Sequence, residues 1–388
     1  MAGDNSRRWV ICGMLFLATV LNYLDRQVMA LNAEYILREF SLSKEQFGEV
    51  LAAFRYSYAL VQFFGGWLVD TLGPYRMYPA AVGIWSVAGL LTGLAPTFAI
   101  LRGFRFLLGI GEAFNWPCAL HVTNRIIPAD RRAFANGIFN SGVAAGAILA
   151  PLLVTGLTIR YGWRASFVVT GLLGLVWIVA WFTIAGPLRA EMAPSRAGTA
   201  MVALAKRREF WLLAVSAIIV NSVSYFLADW IPLYLKTERG FSFASGNMIS
   251  VLVYAGLDVG NLTVGWLAGR TSLRAVLLMC CFLMTTAAGV GFVPNNYAAV
   301  ALMLFTALGV AGFLVIYLTL VQGLDSLRVG MAAGMLGGLG NLAYGLVSPM
   351  IGKLADAELS SLTFVCIALL PWLALAAIWT VVPSKEKA

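Results

Sequence analysis

Hydrophobic residues in this chain come in blocks longer than a soluble fold uses. Twelve apolar segments alternate with short polar joints, at about 9–31, 47–69, 77–97, 98–123, 133–158, 165–187, 210–235, 245–269, 273–293, 296–321, 330–354 and 360–382. A bilayer core needs about 20 helical residues at a rise of about 1.5 Å each, so every block predicts a spanning helix. Ten-residue blocks of alternating polarity are absent, which argues against a β-barrel. One joint is longer, running from Leu188 through Pro194 and Ser195 to Lys206-Arg207-Arg208. It divides the chain into a six-helix bundle at 1–187, a linker at 188–208 and a second six-helix bundle at 209–388. The polar start, Met1 to Arg8, is too short for a cleaved signal peptide, so the first segment reads as a retained helix.

Composition sharpens this to an all-α integral membrane protein. Of 388 residues 60% are hydrophobic and 12% are charged, against about 25% charged in soluble domains. A net charge of +9 would suggest nucleic acid in a soluble protein, but here loop topology accounts for it. With the N-terminus inside, 16 of the 27 Lys and Arg fall in inner loops, 7 in outer loops and 4 within or beside membrane segments. The positive-inside rule then puts both termini in the cytoplasm and makes the lipid bilayer, not nucleic acid, the partner. Cys12, Cys118, Cys280, Cys281 and Cys366 lack metal-site spacing and read as free buried thiols.

The costly residues then stand out. Asn22-Tyr23-Leu24-Asp25-Arg26-Gln27 ends a first segment whose stretch from Trp9 to Leu21 has no charge. Each charged residue inside a membrane helix costs about 2.5–3.5 kcal/mol on insertion scales, so such residues mark a wet cavity or each other. At about 1.5 Å per residue, Asp25 is about 24 Å from Trp9, Arg55 about 22 Å from Asp70 and Glu112 about 20 Å from Arg125. Three helices of one half therefore contribute charge at one depth. Arg26, Arg55, Arg102 and Arg105 face only Asp25 and Glu112 there, an excess of two positive charges. An arginine excess in a low-dielectric cavity calls for an anion, and guanidinium grips carboxylate in two-point fashion. Arg102 and Arg105, on one face with Glu112, stand between ligand contact and structure. Tyr23, Tyr58, Asn115, Asn140, Tyr225, Asn341 and Tyr344 suit a hydroxylated ligand, although Tyr and Asn also bond helix to helix. Glu112 among apolar groups can take and lose a proton near neutral pH. Anion binding to a neighbouring arginine would favour that proton, which couples the two; Asp25 could act similarly.

The halves echo each other. Gly65-Gly66-Trp67-Leu68-Val69-Asp70 closes segment two, and Val264-Gly265-Trp266-Leu267-Ala268-Gly269-Arg270 closes segment eight. Repeated bundles around a midplane site are transporter architecture. Gly66-x-x-x-Asp70-x-x-Gly73-x-x-Arg76 resembles the signature loop of the major facilitator superfamily, in which Asp70 and Arg76 would latch helices at the cytoplasmic edge as gating residues. Thr71, Pro74 and, in the second half, Gly269 depart from that pattern.

A narrower resemblance covers essentially the whole chain. Asn22-Tyr23-Leu24-Asp25-Arg26, Gly109-Ile110-Gly111-Glu112-Ala113-Phe114-Asn115-Trp116-Pro117 and Ile138-Phe139-Asn140-Ser141-Gly142-x-x-x-Gly146 with Pro151 are similar to the anion:cation symporter family. That family includes hexuronate, galactonate and aldarate transporters and relatives carrying glutamate and sialic acid. The resemblance implies a proton-coupled symporter that imports a sugar acid by alternating access in a bacterial inner membrane, as a monomer. It needs no cofactor or metal beyond coupling protons. It makes Arg26 the carboxylate-binding residue, places Tyr23, Tyr58 and Asn341 along the sugar-acid site, and makes Asp25 and Glu112 the protonatable residues. Arg55 replaces an expected small or aromatic residue, implying extra negative charge on the ligand or a different seat. His121, the only histidine, reads as a cytoplasmic-end residue.

Other classes fit less well. A drug/proton antiporter would show Gly-x-x-x-Gly-Pro in segment five, whereas Ala147 follows Gly146. An organophosphate antiporter shares the paired arginines and stays open. One histidine with scattered carboxylates offers no nucleophile–base set for an enzyme. The absence of a Gly-x-x-x-x-Gly-Lys-[Ser/Thr] loop excludes ATP-driven transport within this chain.

Overall fold

A computed structural model describes residues 2–128, 131–194, 204–324 and 329–382. Ser195 and Arg196 of the linker, Arg328, Lys385 and Lys387 lie outside the described residues. Among the described residues the chain is helical, without strands. The first half holds α1 (Ala2–Leu31), α2 (Ala33–Phe40), α3 (Lys44–Leu72), α4 (Pro74–Gly93), α5 (Phe98–Glu112), α6 (Asn115–Ile126), α7 (Arg132–Tyr161) and α8 (Trp163–Ala185). The second holds α9 (Arg208–Asp229), α10 (Ile231–Thr237), α11 (Phe243–Ala268), α12 (Leu273–Thr285), α13 (Ala287–Val290), α14 (Asn296–Leu324), α15 (Val329–Asp356) and α16 (Ser360–Ile378).

Each of the twelve predicted segments coincides with a helix or a broken helix pair. Eight of these are long and apolar enough to span by themselves; the other four are α3, α4, the α5–α6 pair and α15. The α5–α6 break follows from Pro117, which has no N–H to give the carbonyl of Ala113. The chain turns through Ala113 and Phe114 and leaves Glu112 at the end of α5. Pro232 sits likewise just past the Trp230 break between α9 and α10. The short helix α2 was not foreseen; it buries Ala33 and Ile36 in what reads as a polar joint.

The chain forms two compact units, one of 1–36 with 53–199 and one of 37–52 with 200–388. In the first, α1 packs on α7 and α4 packs on α8 and α5. In the second, α9 packs on α15 and α12 packs on α16. First on fifth and third on sixth, counted by membrane segment, recurs in both, so the weak sequence echo is a structural repeat. The opening turns of α3 belong with the second unit because Asp356, at the end of α15, accepts the backbone N–H groups of Lys44 and Glu45 at 3.0 and 2.9 Å.

Burial is arranged for lipid. Helix α8 exposes Leu172, Leu173, Val176, Val179 and Phe182, an apolar stripe that in water would be an association surface. Its inner face carries Ser166, Thr170 and Gly174 with two tryptophans. Trp177 Nε1 donates to the Met14 carbonyl at 2.8 Å, and Trp181 Nε1 to that of Tyr75 at 3.1 Å. Small and polar residues thus sit between helices, as hydrocarbon surroundings favour. All five cysteines are free; four are buried as expected, but Cys366 is exposed.

The signature loop holds a tight turn. Gly73 has φ 79°, where side chains are strained, and a Cβ there would lie 2.9 Å from the Met192 carbonyl at the start of the linker. Arg8 Nη2 holds the same stretch by pairing with Glu191 at 2.9 Å.

Candidate functional site

The site is built on one close approach. Helix α5 carries Gly109 and Gly111 either side of Ile110, and each meets a neighbouring backbone. A Cβ on Gly109 would collide with Ser57 Oγ and the Phe54 carbonyl of α3. One on Gly111 would lie 2.6 Å from the Trp85 nitrogen of α4. Glycine lets three helices meet here, and the next residue, Glu112, is fully buried at their junction.

Arg26 answers it from α1. Its Nε donates to Glu112 Oε2 at 3.1 Å and its Nη2 to Asn22 Oδ1 at 3.3 Å. Asn22 Nδ2 in turn donates to the Glu112 backbone carbonyl at 3.4 Å. The guanidinium lies 5.0 Å from the Tyr23 ring, 4.9 Å from Tyr58 and 5.4 Å from Phe54. Aromatic faces attract a cation within about 6 Å, so Arg26 is fixed by its ion pair and by three rings.

Asp25 and Arg26, adjacent in sequence, do not form a pair with each other. One residue along a helix turns the side chain by about 100°. Asp25 therefore faces Gly89 of α4, whose Cβ would be 3.6 Å from its Oδ1. It is buried, with Thr170 within hydrogen-bonding reach and Glu112 and Arg105 within electrostatic reach.

The two ambiguous arginines separate. Arg102 is exposed, 5.4 Å from the Phe98 ring. Arg105 is buried, 5.0 Å from the Phe54 ring. Arg55 is buried as well, 5.5 Å from that ring. The sequence left Arg105 open between ligand contact and structure, and its burial beside Phe54 now sets it apart from Arg102. Phe54, on which Arg26, Arg55 and Arg105 converge, carried no polar signal to find it by.

Other predicted residues have partners of their own. Asn115 accepts from Tyr78 Oη at 2.7 Å and donates to Thr19 Oγ1 at 3.3 Å, so it ties α6 to α4 and α1. Asn140 is exposed on α7. In the second unit, Asn341 Nδ2 donates to Tyr225 Oη at 3.1 Å, and Tyr225 packs its ring 5.4 Å from that of Tyr344. At the signature loop Asp70 meets His121 Nδ1 at 3.1 Å, while Arg76 is exposed in the first turn of α4. The lone histidine is thus a partner of the signature aspartate, which its position alone did not reveal.

A buried charged layer in a repeated helical bundle, with this signature loop, is transporter architecture, and comparison with known proteins agrees. Residues 15–324 match the Major Facilitator Superfamily. The chain belongs to that superfamily. As a member it is a multi-pass membrane transporter, not an enzyme. It is 26% identical to the hexuronate transporter of Escherichia coli K12, over 97% of this chain and 94% of that one. It is 30% identical to the D-galactonate transporter of Escherichia coli O6:H1, over 92% and 91%. Among solved structures, a bacterial homologue of the human lysosomal transporter Spinster, inward-facing and occupied, superposes with a TM-score of 0.77. It covers 98% of this superfamily member and 99% of its own chain, and its 19% identity speaks for the fold alone.

Proposed function

We propose that this protein is a proton-coupled symporter that imports a sugar acid, a hexuronate or aldonate, across a bacterial inner membrane by alternating access, with both termini cytoplasmic. The observation that carries the reading is Arg26, a guanidinium fixed between Tyr23 and Tyr58 with its Nε on the buried Glu112. A carboxylate offered to Arg26 competes with Glu112 for it. Glu112 released into apolar surroundings prefers to be neutral and takes a proton, so anion and proton load together. The hexuronate and galactonate relatives support a hydroxylated acid as cargo. Asn341, Tyr225 and Tyr344 would read its hydroxyls, and Asp25, buried behind Arg26, would carry or tune the proton. Asp70 and Arg76 keep the proposed role of cytoplasmic gating, with His121 added as partner of Asp70.

Counterflow in proteoliposomes tests this. Vesicles loaded with unlabelled galacturonate or galactonate should take up the labelled acid, and Arg26→Ala vesicles should not. No exchange by the native protein of any hexuronate or aldonate offered would contradict the reading.

A further inference from the structure

We propose that the groove between α11 and α12 is a binding site for an anionic phospholipid, with Arg270 on its phosphate and one acyl chain along the groove. The sequence supplies the charge. Arg270 and Arg274 are the only charged residues between Asp258 and Asp325. They follow the second-half copy of the signature loop, where Gly269 stands in the place that Asp70 holds in the first half. Asp70 has a partner in His121 at 3.1 Å. Among the described residues no carboxylate answers Arg270 or Arg274, whose bonds go to backbone carbonyls. The site belongs to the second unit, whereas Arg26 and Glu112 belong to the first, so it does not depend on the cargo.

Packing supplies the apolar half. Helix α11 turns Val259, Leu262 and Trp266 outward at spacings of three and four, which makes one stripe, and Leu262 and Trp266 are 77% and 60% exposed. With Met279 of α12 they border a groove of about 560 Å³, within the range of about 300–1,000 Å³ that small-molecule sites span. Thr263, also on its wall, donates its hydroxyl to the Val259 carbonyl at 2.7 Å. That leaves the wall apolar apart from the Trp266 indole N–H. Arg270 stands at the end of this stripe. Its guanidinium lies 4.0 Å from the Trp266 ring, and its Nη1 donates to the Trp266 carbonyl at 3.4 Å. A guanidinium has five donors, so the rest are open to a phosphate in two-point fashion. Arg274 adds a second charge four residues on, while its Nη2 holds the carbonyls of Trp379 and Val382 at 3.3 and 3.1 Å. An apolar groove with cations at one end fits an amphiphile, and basic pockets between membrane helices bind anionic head groups. A zwitterionic lipid would bring its ammonium to two arginines and no acid, so the loop selects the anionic one.

The test titrates the full chain in detergent with dioleoylphosphatidylglycerol, dioleoylphosphatidylcholine and glycerol 3-phosphate, and counts bound ligand by native mass spectrometry. Each basic residue near such a surface contributes about fivefold in affinity for an anionic lipid. Phosphatidylglycerol should therefore half-saturate at a concentration at least about fivefold below phosphatidylcholine, and glycerol phosphate should not bind in that range. Arg270→Gln should bring the ratio of the two lipids close to one. Gly269→Asp should do the same, because it restores the acid of the first-half loop at a φ of −78°, where a side chain fits. Arg160→Gln, an equal loss of charge from an exposed position of the first unit, should leave the ratio as it is. Equal binding of both lipids by the native protein overturns the proposal, and so does an Arg270→Gln variant that keeps the native ratio. An equal fall with Arg160→Gln overturns it in favour of bulk charge, and glycerol phosphate bound as tightly as the lipid overturns it in favour of free phosphate. The native ratio and Gly269→Asp keep the test open if Arg270→Gln fails to fold.

Discussion

Arg26 reaches Glu112 across 3.1 Å from a different helix, while its sequence neighbour Asp25 points away from it toward Gly89. The carboxylate partner of Arg26 is therefore 86 residues distant in the chain. Residues that stand side by side in sequence thus face different helices.

Removing Arg26 should abolish capture of the anion. Hydrogen bonds to charged groups contribute about 1.5–3 kcal/mol, or about ten- to a hundredfold in affinity. Arg26→Ala should lose at least that much in ligand-induced thermal stabilisation. Arg26→Lys keeps the charge without the planar fork and should fall between. Equal stabilisation of native and Arg26→Ala protein would remove Arg26 from the site.

Gly109→Ala tests the close approach of α5 to α3. The added Cβ meets Ser57 Oγ and the backbone of Phe54, and overpacking of this kind costs about 1–3 kcal/mol. The unliganded protein in detergent should melt lower, and affinity should fall because Phe54 and Glu112 move apart. Gly66→Ala, where a Cβ meets nothing within 4 Å, is the matched control. Equal melting of both variants would contradict the packing account.

Asn341 and Tyr225 should report on hydroxyls. A neutral hydrogen bond is worth about 0.5–1.5 kcal/mol, so Tyr225→Phe should raise the KM for a sugar acid about three- to tenfold. For an acid of equal charge lacking hydroxyls it should change little. Equal losses for both acids would make the pair a packing contact instead.

At the signature loop, Asp70 and His121 lie 3.1 Å apart with each side chain 25% exposed. Partly exposed pairs couple weakly, about 0.2–1 kcal/mol. A double-mutant cycle of Asp70→Asn and His121→Ala on melting temperature should give a coupling within that range. Strictly additive effects would mean that the contact holds nothing.

The sequence made the helices and their depth legible because a membrane core demands long apolar runs and makes every charge conspicuous. Arg26 and Glu112 stood out for that reason, and spacing along separate helices was enough to put them in one layer. What spacing could not supply was direction. Asp25 and Arg26 are adjacent, yet the helical turn between them sends each to a different neighbour. Asn115 looked like a ligand contact for its polarity and is instead satisfied by Tyr78 and Thr19. Arg102 and Arg105 read alike, and only packing on α3 separates the exposed one from the buried one. Phe54 was invisible because an apolar residue in an apolar helix carries no mark of the cations around it.

In the proposed cycle Glu112 couples the proton to the anion held by Arg26. Its most direct test is accumulation of a labelled sugar acid by proteoliposomes under an imposed pH gradient, compared between native protein and Glu112→Gln. Native vesicles with an alkaline interior should concentrate the acid above its external level and lose it when a protonophore collapses the gradient. Glu112→Gln vesicles should equilibrate and exchange the acid without concentrating it. Gradient-driven accumulation by Glu112→Gln equal to that of the native protein would contradict the account.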